Sequence, residues 1–317
     1  MQDTRTAVVA KSQMVLAQVR KAIVGKDDVL LWALAAILAK GHILLEDIPG
    51  VGKTTMAVAF SKALGLRYNR VQFNPDVLPS DVTGYSVLNQ STGEMVYRPG
   101  TVLCNLFLAD ELNRATSRTQ SALLEAMEEG QVTVDGVSHK LPQPFVVIAT
   151  QNPAGAAGTQ LLPDSQIDRF AVRLSLGYPE PKDEVDMLLQ RQGHDPIQDI
   201  QPVVSAEELV QMQETVAQTF VSEEIARYVV DLVDATRRSD LLLRGGSPRA
   251  TLATTAVAKA IAQLSGRDYV VPKDVQQAFA AAVEHRLQIS PTAQTQGMDA
   301  GQVIRSVIGK VRAPKLR

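Results

Sequence analysis

The 317 residues carry 32 lysines and arginines against 34 aspartates and glutamates, a formal net charge of −2. That balance excludes the overall positive field that draws a protein to nucleic acid or an anionic membrane surface. With 45% hydrophobic and 21% charged residues, the chain has the mix of a globular fold, long enough for one large domain plus a smaller one. Cys104 is the single cysteine and lies in the apolar run TVLCNLFLAD, so no disulfide can form within the chain. It reads as a small buried hydrophobe in a reducing compartment.

Taken in chain order, residues 5–23 place Val8, Val9, Met14, Val15 and Val19 at helical spacing, which predicts a first helix. GKDDVLLWALAAILAKG predicts a second, largely buried helix closed by Gly41. Its apolar stretch Val29 to Ala39 is well short of the ~20 residues that span a bilayer, and no signal peptide precedes it. The expectation is a cytoplasmic protein without a membrane span. HILLE then reads as a buried strand, DIPGVGKT as a glycine loop, and TTMAVAFSKALG as a helix ending at Gly65.

NLFLADE and PFVVIATQNP are two further apolar strands. Interleaved with helices such as SRTQSALLEAMEEG, they predict a parallel sheet covered on both faces. Two segments break the alternation, at about 82–101 and 130–142. The first has period-2 character around Ser91-Thr92-Gly93. The second, GQVTVDGVSHKLP, is a hairpin turning at Asp135-Gly136. The composition shifts near Pro179. Residues 181–290 read as an all-helical domain containing a loop at 193–204, and Ser247 and Pro248 open a well-formed helix. Residues 290–297, SPTAQTQG, read as a flexible linker before a short last helix at 299–310, so three regions are expected: 1–180, 181–290 and 291–317.

The glycine loop carries the chemistry. A triphosphate needs backbone N–H groups wrapped around it, a lysine on the β/γ oxygens and a hydroxyl for Mg²⁺. Gly50, Gly52, Lys53 and Thr54 supply these, and Pro49, Val51 and Thr55 complete the expected contact surface. The pattern GxxxxGK[ST] asks for glycine at position 47, where this chain has Asp47. The expectation is that Asp47 occupies a tolerant turn, since aspartate adopts unusual backbone angles more easily than most residues.

Asp110 ends a buried strand, an expensive position for a carboxylate unless it serves a cation, and it fits as a holder of Mg²⁺ through water. Glu111 fits as the base that activates an attacking water. Asn152, at the tip of the third strand, could hydrogen-bond a γ-phosphate and that water, although a capping or turn asparagine before Pro153 is, taken alone, the simpler reading. His42, His139, His194 and His285 are scattered without ligand spacing, so no zinc site is expected. The few aromatics are not interleaved with basic runs, which speaks against a nucleic-acid groove.

The ordered set DIPGVGKT, FLADELNRA, TQSALLEAMEEGQVTVDG, ATQNP, LPDSQIDRF and GGSPRA resembles the MoxR family of AAA+ ATPases over about residues 20–290. The resemblance implies an αβα P-loop NTPase core with strand order 5-1-4-3-2, a helical lid, ATP and Mg²⁺ as ligands, and a homo-oligomer, usually a hexameric ring. It implies that both hairpins face a pore or substrate, and that a non-glycine is accommodated at position 47. It makes Arg169 an arginine finger reaching the nucleotide of a neighbouring subunit, and Arg249 a sensor at the start of a lid helix, in touch with the phosphates. Arg114 is implied at the same subunit interface, and Val24 and Gly25 in the adenine pocket.

The family also implies a chaperone-like machine for maturation, or metal or cofactor insertion, of a client protein, often beside a partner with a von Willebrand factor A-type domain. A chelatase- or helicase-related motor and a nucleotide-binding module without turnover are the alternatives. The pair Asp110-Glu111 and Arg169 weigh against the latter.

Overall fold

A computed structural model describes residues 2–152 and 162–315, so Pro153, the last letter of PFVVIATQNP, lies outside the described residues. Five parallel strands form the central sheet: β1 (Ile43–Glu46), β2 (Tyr68–Gln72), β3 (Leu106–Asp110), β4 (Val146–Gln151) and β5 (Val172–Leu174). They lie in the order β2-β3-β4-β1-β5, the 5-1-4-3-2 arrangement. Strand alternation sorts side chains into two layers. Ile43, Leu45, Leu106, Leu108, Val146 and Ile148 face one core, and Leu44, Phe107, Ala109, Val147 and Ala149 face the other. Both faces being apolar, the three central strands read as continuous hydrophobic runs.

The first core is closed by α1 (Gln2–Val19), α2 (Asp27–Leu38), α3 (Lys53–Ala63) and the helices of the C-terminal half. The second is closed by α4 (Ser117–Glu129), which buries Leu123, Leu124, Ala126 and Met127. Thr116 caps this helix by accepting from the Thr119 amide, and Gly130 ends it at φ +62°.

The two sheet-independent hairpins are present. Gly84–Leu88 pairs antiparallel with Met95–Pro99, and Gln131–Val134 with Val137–Lys140. Asp135 and Gly136 both take positive φ (+50° and +78°), as the turn requires. The two hairpins touch: Tyr97 stacks on His139 with ring centroids 3.7 Å apart and planes inclined by 11°.

The C-terminal half is helical, with α5 (Pro181–Gln190), α6 (Ala206–Ala217), α7 (Glu223–Arg237), α8 (Pro248–Leu264), α9 (Pro272–Val283) and α10 (Ala300–Lys310). It also holds a short antiparallel ladder between Leu242–Arg244 and Gln288–Ile289, which periodicity does not predict. The expected linker at 290–297 is corrected: Ser290 accepts from the Ala293 amide and caps a helical turn, Pro291–Thr295, that buries Ala293. Serine, threonine and glutamine read as a linker by composition, whereas here the serine is a cap. Val303, Ile304 and Val307 of α10 bury into the same core as α7, so the last helix packs with the lid. Among the described residues no helix is long and apolar enough to cross a membrane.

Two histidines are sealed inside as neutral rings. The Nδ1 of His42 accepts from the Val147 amide (3.0 Å) while Nε2 lies 3.1 Å from the Met127 carbonyl, and burial pulls its pKa down to about 4. His285 lies 3.0 Å from the Phe170 carbonyl through Nε2, and burial together with Arg286 holds its pKa well below the usual value. Below pH ~6.5 the unfolded chain binds protons at these positions that the native chain refuses. Stability present above that pH is therefore lost as pH falls, by up to about 1.4 kcal/mol per pH unit for each ring. Urea midpoints measured between pH 7 and 5, above the carboxylate range, check this; a flat profile contradicts it.

Candidate functional site

β1, β3 and β4 end side by side, and their C-terminal tips bring the loop residues and carboxylates together, as open parallel sheets do at a change of strand order. Pro49, Gly50, Gly52, Lys53, Thr54, Thr55, Arg70, Asp110, Glu111 and Asn152 line one cleft of about 320 Å³. Gly50 and Gly52 take φ of +88° and +98°, which other residues rarely adopt, and a Cβ at Gly50 would meet nothing within 4 Å. The loop thus borders open space at the start of α3, where backbone N–H groups favour an anion. Lys53, nearly buried, donates to the carbonyls of Asp47 (2.6 Å) and Ile48 (2.9 Å). Burial lowers its pKa, while the carboxylates of Asp47, Asp110 and Glu111 oppose that shift.

The parallel register sets Thr150 beside the acidic pair. Its hydroxyl accepts from the Glu111 amide (2.8 Å) and donates to Asp110 Oδ1 (2.7 Å). Asp110 Oδ2 accepts two bonds from Arg70 of β2, at 2.7 and 3.2 Å. Glu111 stands in the left-handed region at φ +56°, a strained geometry for a non-glycine residue that recurs at functional sites. Its Oε2 pairs with Arg114 (2.9 Å) and its Oε1 accepts from Asn152 Nδ2 (3.3 Å). Arg114, expected at a subunit interface, thus engages Glu111 of its own chain. Arg70 and Thr150 were not legible beforehand; the only signal is the register that sets Ala109 against Ala149.

A second cavity of about 380 Å³ continues from the first and shares Pro49, Gly50, Gly52 and Thr55 with it. Ala22, Ile23, Val24 and Val51 form one wall; Tyr178, Pro179, Asp183 and Met187 form the other. Gly25 adjoins it at φ +71°, a conformation that favours glycine, and a Cβ there would lie 1.8 Å from the Asp183 carboxylate and displace it. An apolar slot joined to a glycine-lined anion cleft has the shape and chemistry of a nucleotide site.

Arg169 and Arg249 line neither cavity. Arg169 donates to the Leu124 carbonyl (2.7 Å) and pairs with Glu128 (3.1 Å) beside a separate, acidic hollow with Glu125 and Glu129. Arg249 pairs with the same Glu128. Arg249, expected in touch with the phosphates, thus stands apart from the cleft that holds Lys53 and Thr54. Ser247, the cap of α8, donates to both oxygens of Asp168 at 2.9 Å, which docks the helix start against Arg169 instead of the glycine loop. Asp47, too, departs from expectation. It is not among the described non-glycine residues with positive φ, which are Lys40, Glu111 and Asp135, and its side chain is buried.

For magnesium, the donors that fit are the Thr54 hydroxyl and the Asp110 carboxylate. Because Thr150 and Arg70 already engage both Asp110 oxygens, that carboxylate fits contact through water better than direct ligation. Among the described residues no cluster of three His, Cys, Asp or Glu side chains suits another metal.

Comparison with known proteins agrees with this geometry. The family model for the ATPase family associated with various cellular activities (AAA) matches residues 42–172, and the AAA lid domain model matches 234–307. YeaC of Bacillus subtilis is 45% identical over 94% of this chain and 93% of its own. Chaperone MoxR1 of Mycobacterium tuberculosis is 38% identical over 94% of this chain and 81% of its own. A solved structure of a candidate ATPase from Cytophaga hutchinsonii, 33% identical, superposes with a TM-score of 0.89 over 99% of this chain and 98% of that one.

Proposed function

The chain belongs to the MoxR family of AAA+ ATPases, and from that premise we propose that it works as a hexameric ring that spends ATP to remodel a client protein. The observation that carries this reading is the convergence of Lys53, Thr54, Asp110, Glu111 and Asn152 on one cleft, while Arg169 and Arg249 sit together outside it.

In this reading the amides of Gly50 and Gly52 and the Lys53 ammonium hold the β- and γ-phosphates, and the slot beside Val24 and Val51 takes the adenine. Thr54 and, through water, Asp110 hold Mg²⁺, which when bound neutralises charge on the phosphates. Glu111 orients and deprotonates the attacking water, with Asn152 fixing the carboxylate. Both Glu111 oxygens are engaged, so it takes up that role once Arg114 moves aside. Arg169 and Arg249 then serve the nucleotide of the adjacent subunit, sharing Glu128 as their resting partner.

The client-facing surface of this proposal is the paired hairpins, which expose Tyr85, Leu88, Met95, Val96 and Val137. Maturation or metal or cofactor insertion of a cytoplasmic client, with a von Willebrand factor A-type partner, is the family's use of such a machine and is proposed here on that basis. Phosphate release from Mg–ATP should rise more steeply than linearly with protein concentration as rings form. Strictly proportional activity down to a dilute monomer would remove the ring from the reading.

A further inference from the structure

We propose that Asp47 is a positioning residue that ties the phosphate loop to the wall of the base cavity, a role resting on the nucleotide-site reading above. The strict pattern has glycine here for backbone freedom, yet Asp47 uses no left-handed conformation, so backbone freedom does not explain the residue. Its carboxylate does. Buried at 7% exposure, Asp47 accepts three hydrogen bonds: Oδ1 from the Ile48 amide (3.0 Å), Oδ2 from the Gly177 amide (2.7 Å) and the Ser175 hydroxyl (3.0 Å). Two of the three donors lie on the segment leaving β5.

That segment leads straight into the base cavity. Gly177 turns at φ +60°, and the next two residues, Tyr178 and Pro179, line the cavity before α5 begins. Lys26 donates to the Tyr178 carbonyl (2.7 Å) from the opposite wall, so the segment is gripped at two adjacent points. On its other side, the Asp47 carbonyl accepts from Lys53 Nζ, the group aimed at the phosphates. One residue therefore links the lysine at the phosphate end with the wall at the base end. Charge-assisted bonds to a buried carboxylate are about twice as strong as neutral ones, and removing the acceptor orphans the donors it served.

The consequence is a nucleotide-affinity effect beyond any loss of stability. A fluorescent ADP analogue titrated against the native chain and against Asp47→Ala, Ser175→Ala and the double variant tests it, with melting temperatures measured alongside. Asp47→Ala should bind about tenfold more weakly, Ser175→Ala less severely so, and the double variant no worse than Asp47→Ala alone, since the serine acts through that carboxylate. Asp47→Asn, which keeps the shape but meets the Gly177 and Ser175 donors with a poorer acceptor, should fall between native and alanine if the alanine variant folds badly. Affinity within twofold of native in both Asp47 variants, or effects of Asp47→Ala and Ser175→Ala that add, would overturn the tether while native binding stands. Absence of binding by the native chain would overturn the site, and the tether with it.

Discussion

Glu111→Gln is expected to hold ATP with near-native affinity and lose turnover by a factor of about 100 to 10,000, the usual worth of a positioned general base. Lys53→Ala is expected to lose tight binding altogether. The difference follows from where each group acts. In the proposed site Lys53 supplies a positive charge to the ground-state phosphates from a side chain that is itself largely buried, and Arg70, engaged with Asp110, does not replace it there. Glu111 is proposed to act on the attacking water instead, and its amide analogue keeps the Asn152 contact through its carbonyl oxygen while giving up proton acceptance. Glutamine also cannot hold Arg114 as an ion pair, so any affinity change in this variant should be slight and favour the nucleotide. Affinities from nucleotide titration and rates from phosphate release, on both variants, separate the roles. Equal loss of binding in the two would reassign Glu111 to the ground state.

The second large effect belongs to Arg169. An arginine that meets charge developing across a subunit boundary is worth about 10³–10⁵ in rate. Arg169→Ala should therefore bind ATP almost normally and hydrolyse it poorly, because the lost contact is made in the transition state. Arg249 shares Glu128 with Arg169 and stands on the same side of the molecule, away from its own cleft. Arg249→Ala should consequently behave as Arg169→Ala does, lowering turnover more than affinity.

Much of this site could be read before any coordinates. The glycine loop and the acidic pair announce themselves because each closes a short apolar strand, Asn152 reads as a turn residue until it is seen beside Glu111, and period-2 patterns with Asp135-Gly136 mark the hairpins. What was hidden depends on register and long-range packing. β2 is a half-exposed edge strand and β5 is three residues long, so neither makes a clear apolar run. Arg70 and Thr150 matter because strand pairing places them beside Asp110, a fact that local sequence does not encode. Tyr178, Pro179 and Asp183 reach the base cavity from over a hundred residues beyond Val24. Arg249 sits where Ser247 docks its helix, and the Asp47 carboxylate meets Ser175 and Gly177 from 128 and 130 residues away.

If a neighbouring subunit completes the catalytic site, two inactive variants should complement each other when mixed. Glu111→Gln and Arg169→Ala are each nearly silent alone. In a mixed ring, some interfaces join a subunit with intact Glu111 to one with intact Arg169, so phosphate release should partly recover. Arg249→Ala should likewise recover on mixing with Glu111→Gln and gain nothing with Arg169→Ala, since in the proposed ring those two arginines serve the same neighbour. Co-assembled mixtures of Glu111→Gln and Arg169→Ala that stay as inactive as their components would rule out a site shared between subunits.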